Sequence, residues 1–207
     1  MQGFEFHKLK DEIGAEYFSD ESIDAYLKHR IKCSENNQLS PFDYNVFDGN
    51  KTSLFNYAII NKNMGLLQSF FALTEATEAI FPFIKYTDKD YPIHTICRLG
   101  DYEIFKMFCE VYKSNIKRQF ENLKNVDGDL PFETLSNPPD KNDPNKEKIK
   151  AGKIKIASYI ASNYPECIAT THIDEYEQEK PFVQHVKDKG FPEIAIVIEA
   201  HETTRSK

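Results

Sequence analysis

The sequence predicts an all-α protein built from paired antiparallel helices, and three observations carry that expectation. Segments that resemble one another begin at residues 53, 91, 130 and 180. Each follows a turn rich in Asp, Asn or Gly, runs into a short amphipathic stretch, breaks, and continues with apolar residues at helical spacing. A lone helical hairpin cannot cover both of its apolar faces, so units of this kind close a core only by stacking on their neighbours.

Composition sets the outer limits. With 207 residues, 40% apolar and 13% aromatic, the chain has enough sticky surface to fold as one domain or two small ones. At this size roughly 70% of the unfolded chain's surface can be buried, so neither disulfides nor metals are required. The net charge of -7 disfavours nucleic acid and anionic lipid as generic partners. The longest apolar runs, such as Ile194 to Ile198, are far below the roughly 18 residues that span a bilayer, and Met1 to Lys10 lacks the apolar centre of a signal peptide. Four cysteines, Cys33, Cys97, Cys109 and Cys167, show no paired spacing and read as free thiols in a reducing compartment, so the expected location is cytoplasmic.

Residues 1–45 carry two helical patterns, Phe4, Phe6, Leu9, Ile13, Tyr17 and then Ile23, Tyr26, Leu27, Ile31 after Ser19-Asp20-Glu21. They suit a helical cap, because the end of a stacked array needs one polar outer face. The first unit opens at Ser53-Leu54-Phe55-Asn56-Tyr57-Ala58-Ile59 and continues at Leu66-Leu67-Gln68-Ser69-Phe70-Phe71. The second runs from Tyr91-Pro92-Ile93-His94 through Leu99-Gly100-Asp101 to Glu103-Ile104-Phe105-Lys106-Met107-Phe108. Leu130-Pro131-Phe132-Glu133-Thr134-Leu135 opens the third, which an insertion at 137–151 divides. The insertion's Pro-rich loop 137–145 is followed by a basic, helix-compatible stretch from Lys146 to Lys155. The fourth joins Lys180-Pro181-Phe182-Val183-Gln184-His185-Val186 to Glu193-Ile194-Ala195-Ile196-Val197-Ile198, and a polar tail covers 201–207. Phe70, Phe71, Phe105, Phe108, Phe132 and Phe182 fall at helical spacing and are expected in the core.

The second unit resembles an ankyrin repeat, whose pattern is Thr-Pro-Leu-His, small apolar residues, Gly-His, then Glu-Ile-Val and a leucine run. Pro92, Ile93, His94, Gly100, Glu103 and Ile104 stand in that register. The intervals here exceed the usual 33 or so residues, the closing Gly-Ala-Asp-Val-Asn loop is missing, and only the second unit keeps the His. The resemblance covers residues 46–200 and implies a monomeric solenoid of about four degenerate repeats that binds another protein. In this family, partners dock on the turn tips and on the exposed face of the first helices. By position that face takes Asn61, Arg98, and Lys187 with Asp188, and in the third unit it falls on Asn137. In the same register His94 braces the turn, and Cys97 replaces a small buried alanine.

Ahead of each unit stands an oxygen-bearing side chain able to accept from first-turn amides, followed by a Leu or Pro that tolerates that turn. Two residues further back lie Asn50, Asp88, Asp127 and Glu177, which with Asp90, Asp129 and Glu179 make acid pairs before the last three units. The inner acids read as helix caps. The outer ones read as a negative ridge that steers a partner with a basic surface.

Motifs for chemistry are absent. There is no Cys-x-x-Cys, no His-x-x-x-His, no Gly-rich phosphate loop and no Gly-x-Ser-x-Gly elbow. No catalytic, metal-binding or cofactor-binding residue is therefore expected. A cysteine nucleophile served by a distant His would need partners that meet only in space. An alternative reading makes the chain a host-directed effector of an intracellular bacterium or parasite, with activity in residues 1–45 or in the insertion. Its basis is the 22 to 4 excess of Lys over Arg, the degenerate repeats, and a tail from Glu199 to Lys207 rich in Glu, Ser and Thr.

Overall fold

The computed structural model describes residues 54–65, 67–68, 70–71, 90–168, 171–173 and 179–205. The expected helical cap at 1–45 lies outside the described residues. The chain divides into two units, Met1–Thr95 and Ile96–Lys207.

Helix dominates. In chain order the elements are α1 (Leu54–Ile60), α2 (Pro92–Leu99), α3 (Tyr102–Val111), α4 (Ile116–Asn122), a 3-10 helix (Glu133–Ser136), α5 (Lys146–Asn163) and a second 3-10 helix (Pro165–Cys167). Strands β1 (Thr171–Ile173) and β2 (Glu179–Pro181) follow, then α6 (Phe182–Asp188) and α7 (Pro192–Arg205). The strands form an antiparallel hairpin with Thr171 opposite Pro181 and Ile173 opposite Glu179. This hairpin is a departure from the purely helical expectation. Three residues per strand are too few to show the alternation by which a strand is read from sequence.

One spacing recurs in three places. Helices α1, α2 and α6 begin at 54, 92 and 182. Eight residues after each start the backbone turns left-handed, at Lys62 (φ 53°), Gly100 (φ 62°) and Gly190 (φ 80°). Ten residues after each start helix resumes, at 64, 102 and 192. The hydrogen bonds repeat as well. Asn63 N–H donates to the Ala58 carbonyl at 2.9 Å and Phe191 N–H to the Val186 carbonyl at 3.1 Å, the closing bond of a Schellman turn. Gly100 N–H reaches the Ile96 carbonyl at 3.1 Å, the simpler left-handed ending. The fourth segment keeps this spacing from 181, one residue later than the sequence register places it.

Lys62 holds a conformation that two glycines hold elsewhere. An L-residue pays roughly 1–2 kcal/mol there, part of which glycine returns as extra freedom in the unfolded chain. Lys62→Gly is therefore expected to raise stability by about 0.5–1 kcal/mol, read as a higher denaturant midpoint at constant slope. An unchanged or lower midpoint would show that the lysine side chain compensates the strained backbone.

Within the first unit, Phe55, Ala58, Ile59, Leu67, Phe70 and Phe71 are buried, and the Phe55 ring meets Phe70 at 4.9 Å and Phe71 at 6.0 Å between centroids. Within the second, α5 packs against α3 and α7, α7 against α6, and α6 against the 3-10 helix at 133–136 and both strands. Apolar residues recur at matched places along the second helices: Ile104, Phe105 and Phe108; Ile156, Ala157 and Ile160; Ile194, Ala195 and Ile198. All six phenylalanines expected in the core are buried. Aromatic rings fill the space around α3 and α5, with Phe105 at 5.5 Å from Tyr159 and 6.1 Å from Phe120, and Phe120 at 5.5 Å from Tyr164.

The insertion is partly structure. Its first half, 137–145, is a loop tightened by Asp140 and Asp143, whose carboxylates accept from Asn142 N–H and Asn145 N–H at 2.9 and 2.7 Å. Its second half is helical and extends the N-terminal end of α5. Just beyond it, Gly152 comes so close to Gly100 that a Cβ on Gly152 would overlap the Gly100 carbonyl, and a Cβ on Gly100 would overlap the Ile149 carbonyl.

Candidate interaction surface

The third residues of the first helices in the register, Phe55, Ile93, Phe132 and Phe182, are all buried. Behind these sit Asn56, His94 and Glu133, also buried. Glu133 closes the first turn of its segment: its carboxylate accepts from Leu130 N–H at 2.5 Å, the acid's half of a capping box. Asp129 belongs to a turn organised by Asn125, whose Oδ1 accepts from Asp127 N–H at 3.0 Å and from Asp129 N–H at 2.9 Å. At the fourth segment the capping position is Pro181, with no side-chain cap, and Glu179 lies in β2.

The residues expected to meet a partner are divided among several environments. Asn50, Asp88 and Glu177 lie outside the described residues. Asp90 is only 2% exposed, so it does not line an outer edge. Asp127 is exposed at its turn, with Gly128 beside it in the left-handed conformation (φ 85°), and Asp129 is half-buried. Asn61, Arg98, Lys187 and Asp188 are exposed, and all four stand at or just beyond the C-terminal ends of α1, α2 and α6. Asn137 is half-buried, and its carbonyl accepts from Lys153 Nζ at 2.6 Å.

The structure thus separates two edges. Turns such as 125–129 precede the first helix of a pair, whereas Arg98 and Lys187 mark its far end, and a seven-residue helix such as α6 is about 10 Å long. At the far end of α6 the charges are paired. Lys187 Nζ lies 2.6 Å from Glu199, and Asp188 accepts from Gln184 at 2.7 Å and from Lys180 at 3.5 Å. The Gln184 hydrogen bond, followed by the Lys180 charge, holds the Asp188 carboxyl below its usual range.

Three groups invite a chemical reading, and packing accounts for each. Glu121, Glu166 and Cys167 bring potential metal ligands within 4.8 Å of one another. Lys117 already occupies the charge, 2.7 Å from Glu166 and 3.6 Å from Glu121, and burial pushes the Cys167 thiol up to about 12. Cys109 is also pushed up by burial, so neither thiol is an activated nucleophile. Ser136 and His185 approach to 3.2 Å, but Ser136 Oγ gives its proton to the Glu133 carbonyl at 2.7 Å, and both side chains are buried.

Sequence reasoning passed over Lys153. Its side chain is only 1% exposed, and its ammonium donates to the Asn137 carbonyl at 2.6 Å and the Thr134 carbonyl at 3.4 Å. Burial lowers its pKa to about 8. No sequence signal marks it, since it lies in a run of lysines whose other members read as solvated.

No protein-family model matches the chain, and no curated protein matches it. No helix of the described residues is long and apolar enough to cross a membrane.

Proposed function

We propose that this chain is a scaffold of ankyrin-like repeats that binds a partner protein along the turn tips and the exposed ends of its first helices. The observation that carries this reading is the spacing shared by three segments: helix at 54, 92 and 182, a left-handed residue eight positions on, and helix again at ten. The serial packing of α3, α5 and α7 supports it, because stacked hairpins touch their neighbours in order. The lengthened intervals have a local cause in this reading: α4 is added after the second unit and the extension of α5 within the third. The partner would carry a basic surface facing Asp127 and its neighbours, and the Arg98 and Lys187 edge would meet acidic or polar groups.

The test is affinity capture with mass spectrometry, comparing the native chain with Arg98→Glu plus Lys187→Glu. Both residues are exposed, so the fold should persist, which circular dichroism and thermal unfolding would verify. A partner captured by the native chain and lost from the folded double variant is the expected result. Equal capture by both would remove this edge from the binding surface.

A further inference from the structure

The helical turn Ile149–Lys153, where the insertion runs on into the rest of α5, touches two different hairpin turns. On one side Ile149, Gly152 and Lys153 close against Gly100, the left-handed residue between α2 and α3, with no room for a Cβ on either glycine. Lys153 also fastens the end of the 3-10 helix through the Asn137 and Thr134 carbonyls. On the other side, Lys150 Nζ lies 2.6 Å from Glu193 and 5.9 Å from the centre of the Phe191 ring, at the turn between α6 and α7. The Glu193 hydrogen bond raises the Lys150 pKa and that same bond lowers the Glu193 pKa.

In an array of stacked units, stability is a sum of unit and neighbour contributions, and each interface opens on its own. A single rigid helical turn that belongs to two interfaces breaks that independence. We propose that the junction of the insertion with the rest of α5 is a coupling clasp: the turn 149–153 ties the α2–α3 turn to the α6–α7 turn, so that displacing either one loosens the other. The consequence is regulatory. A partner that docks first at Arg98, two residues from Gly100, would alter the mobility of the segment around Lys187 and Phe191 before engaging it. The clasp itself rests on the packing of Ile96–Lys207 and survives if the scaffold reading fails; only that consequence depends on a bound partner.

Amide hydrogen exchange on the full chain, read by mass spectrometry, tests it with two variants. Lys150→Gln removes the charge pair with Glu193 at a partly exposed position, and Lys153→Met removes the amine that holds 134–137. The expected result is about three-fold faster exchange on the far side in each case: at 98–104 for Lys150→Gln and at 189–194 for Lys153→Met, with 116–122 unchanged. Exchange that rises only on the mutated side overturns the clasp. So does an equal rise at 116–122, which marks a general loss of stability. Should Lys153→Met not fold, Lys150→Gln decides by itself.

Discussion

Replacing Gly152 by alanine is expected to cost roughly 3 kcal/mol, even though alanine is the better helix former by about 1 kcal/mol. The reason is that both sides of the contact are backbone. The added Cβ would overlap the Gly100 carbonyl, and no flexible side chain stands there to move aside. The α2–α3 turn must then separate from α5. Gly65→Ala is the internal comparison, because that helical position meets nothing nearer than 3.8 Å and should gain the helix-propensity benefit. Chemical denaturation of both variants checks the pair. A Gly152→Ala protein as stable as the native chain would show that the two backbones can part without loss.

The second large effect is pH-dependent and belongs to Lys153. Burial lowers its pKa from 10.5 to about 8, so between those values the unfolded chain binds a proton that the folded chain has released. Stability contributed by this group therefore rises with pH through that window, and below about pH 8 the burial cost is present in full. A shift of this size corresponds to ~3 kcal/mol. The thiols of Cys109 and Cys167 act in the opposite sense. Held up by burial, they keep their protons while unfolded thiols lose theirs above about 9, which erodes stability as pH rises. Both contributions are common to the native chain and Lys153→Met, so their difference isolates the lysine. Relative to the variant, the native chain should gain up to ~3 kcal/mol between pH 7 and 10.5. Parallel stability curves for the two would show that the amine is solvated.

Much of the helix placement was legible in the residues themselves. Pro92, Gly100 and Glu103 mark the start, the turn and the second helix of one pair, and all three serve those roles. The apolar positions at 104, 105 and 108 and at 194, 195 and 198 were also readable, because burial on one helical face imposes its own period. The insertion's division into a loop and a basic helix followed from Pro138, Pro139 and Pro144 giving way to helix formers. Other features depend on partners distant in the chain. Gly152 reads as a weak point in a helix until Gly100 is seen against it, and Lys153 reads as one more surface lysine until the Asn137 carbonyl is found at its tip. Glu133 holds the Leu130 amide from three residues ahead, a bond that sequence order alone does not single out. The candidate surface was legible only as positions along helices. Which of those positions are exposed, as Arg98 is, and which are buried, as Asp90 is, depended on neighbours that no local pattern encodes.

The three described cysteines sit at separate places in the packing, Cys97 on α2, Cys109 on α3 and Cys167 after α5, and all are buried. A thiol-reactive dye can reach them only when the surrounding segment opens, since a closed core excludes the reagent and disfavours the thiolate it needs. The second unit therefore carries its own set of chemical clocks, and the order in which they are labelled records the order in which the core around each of them opens.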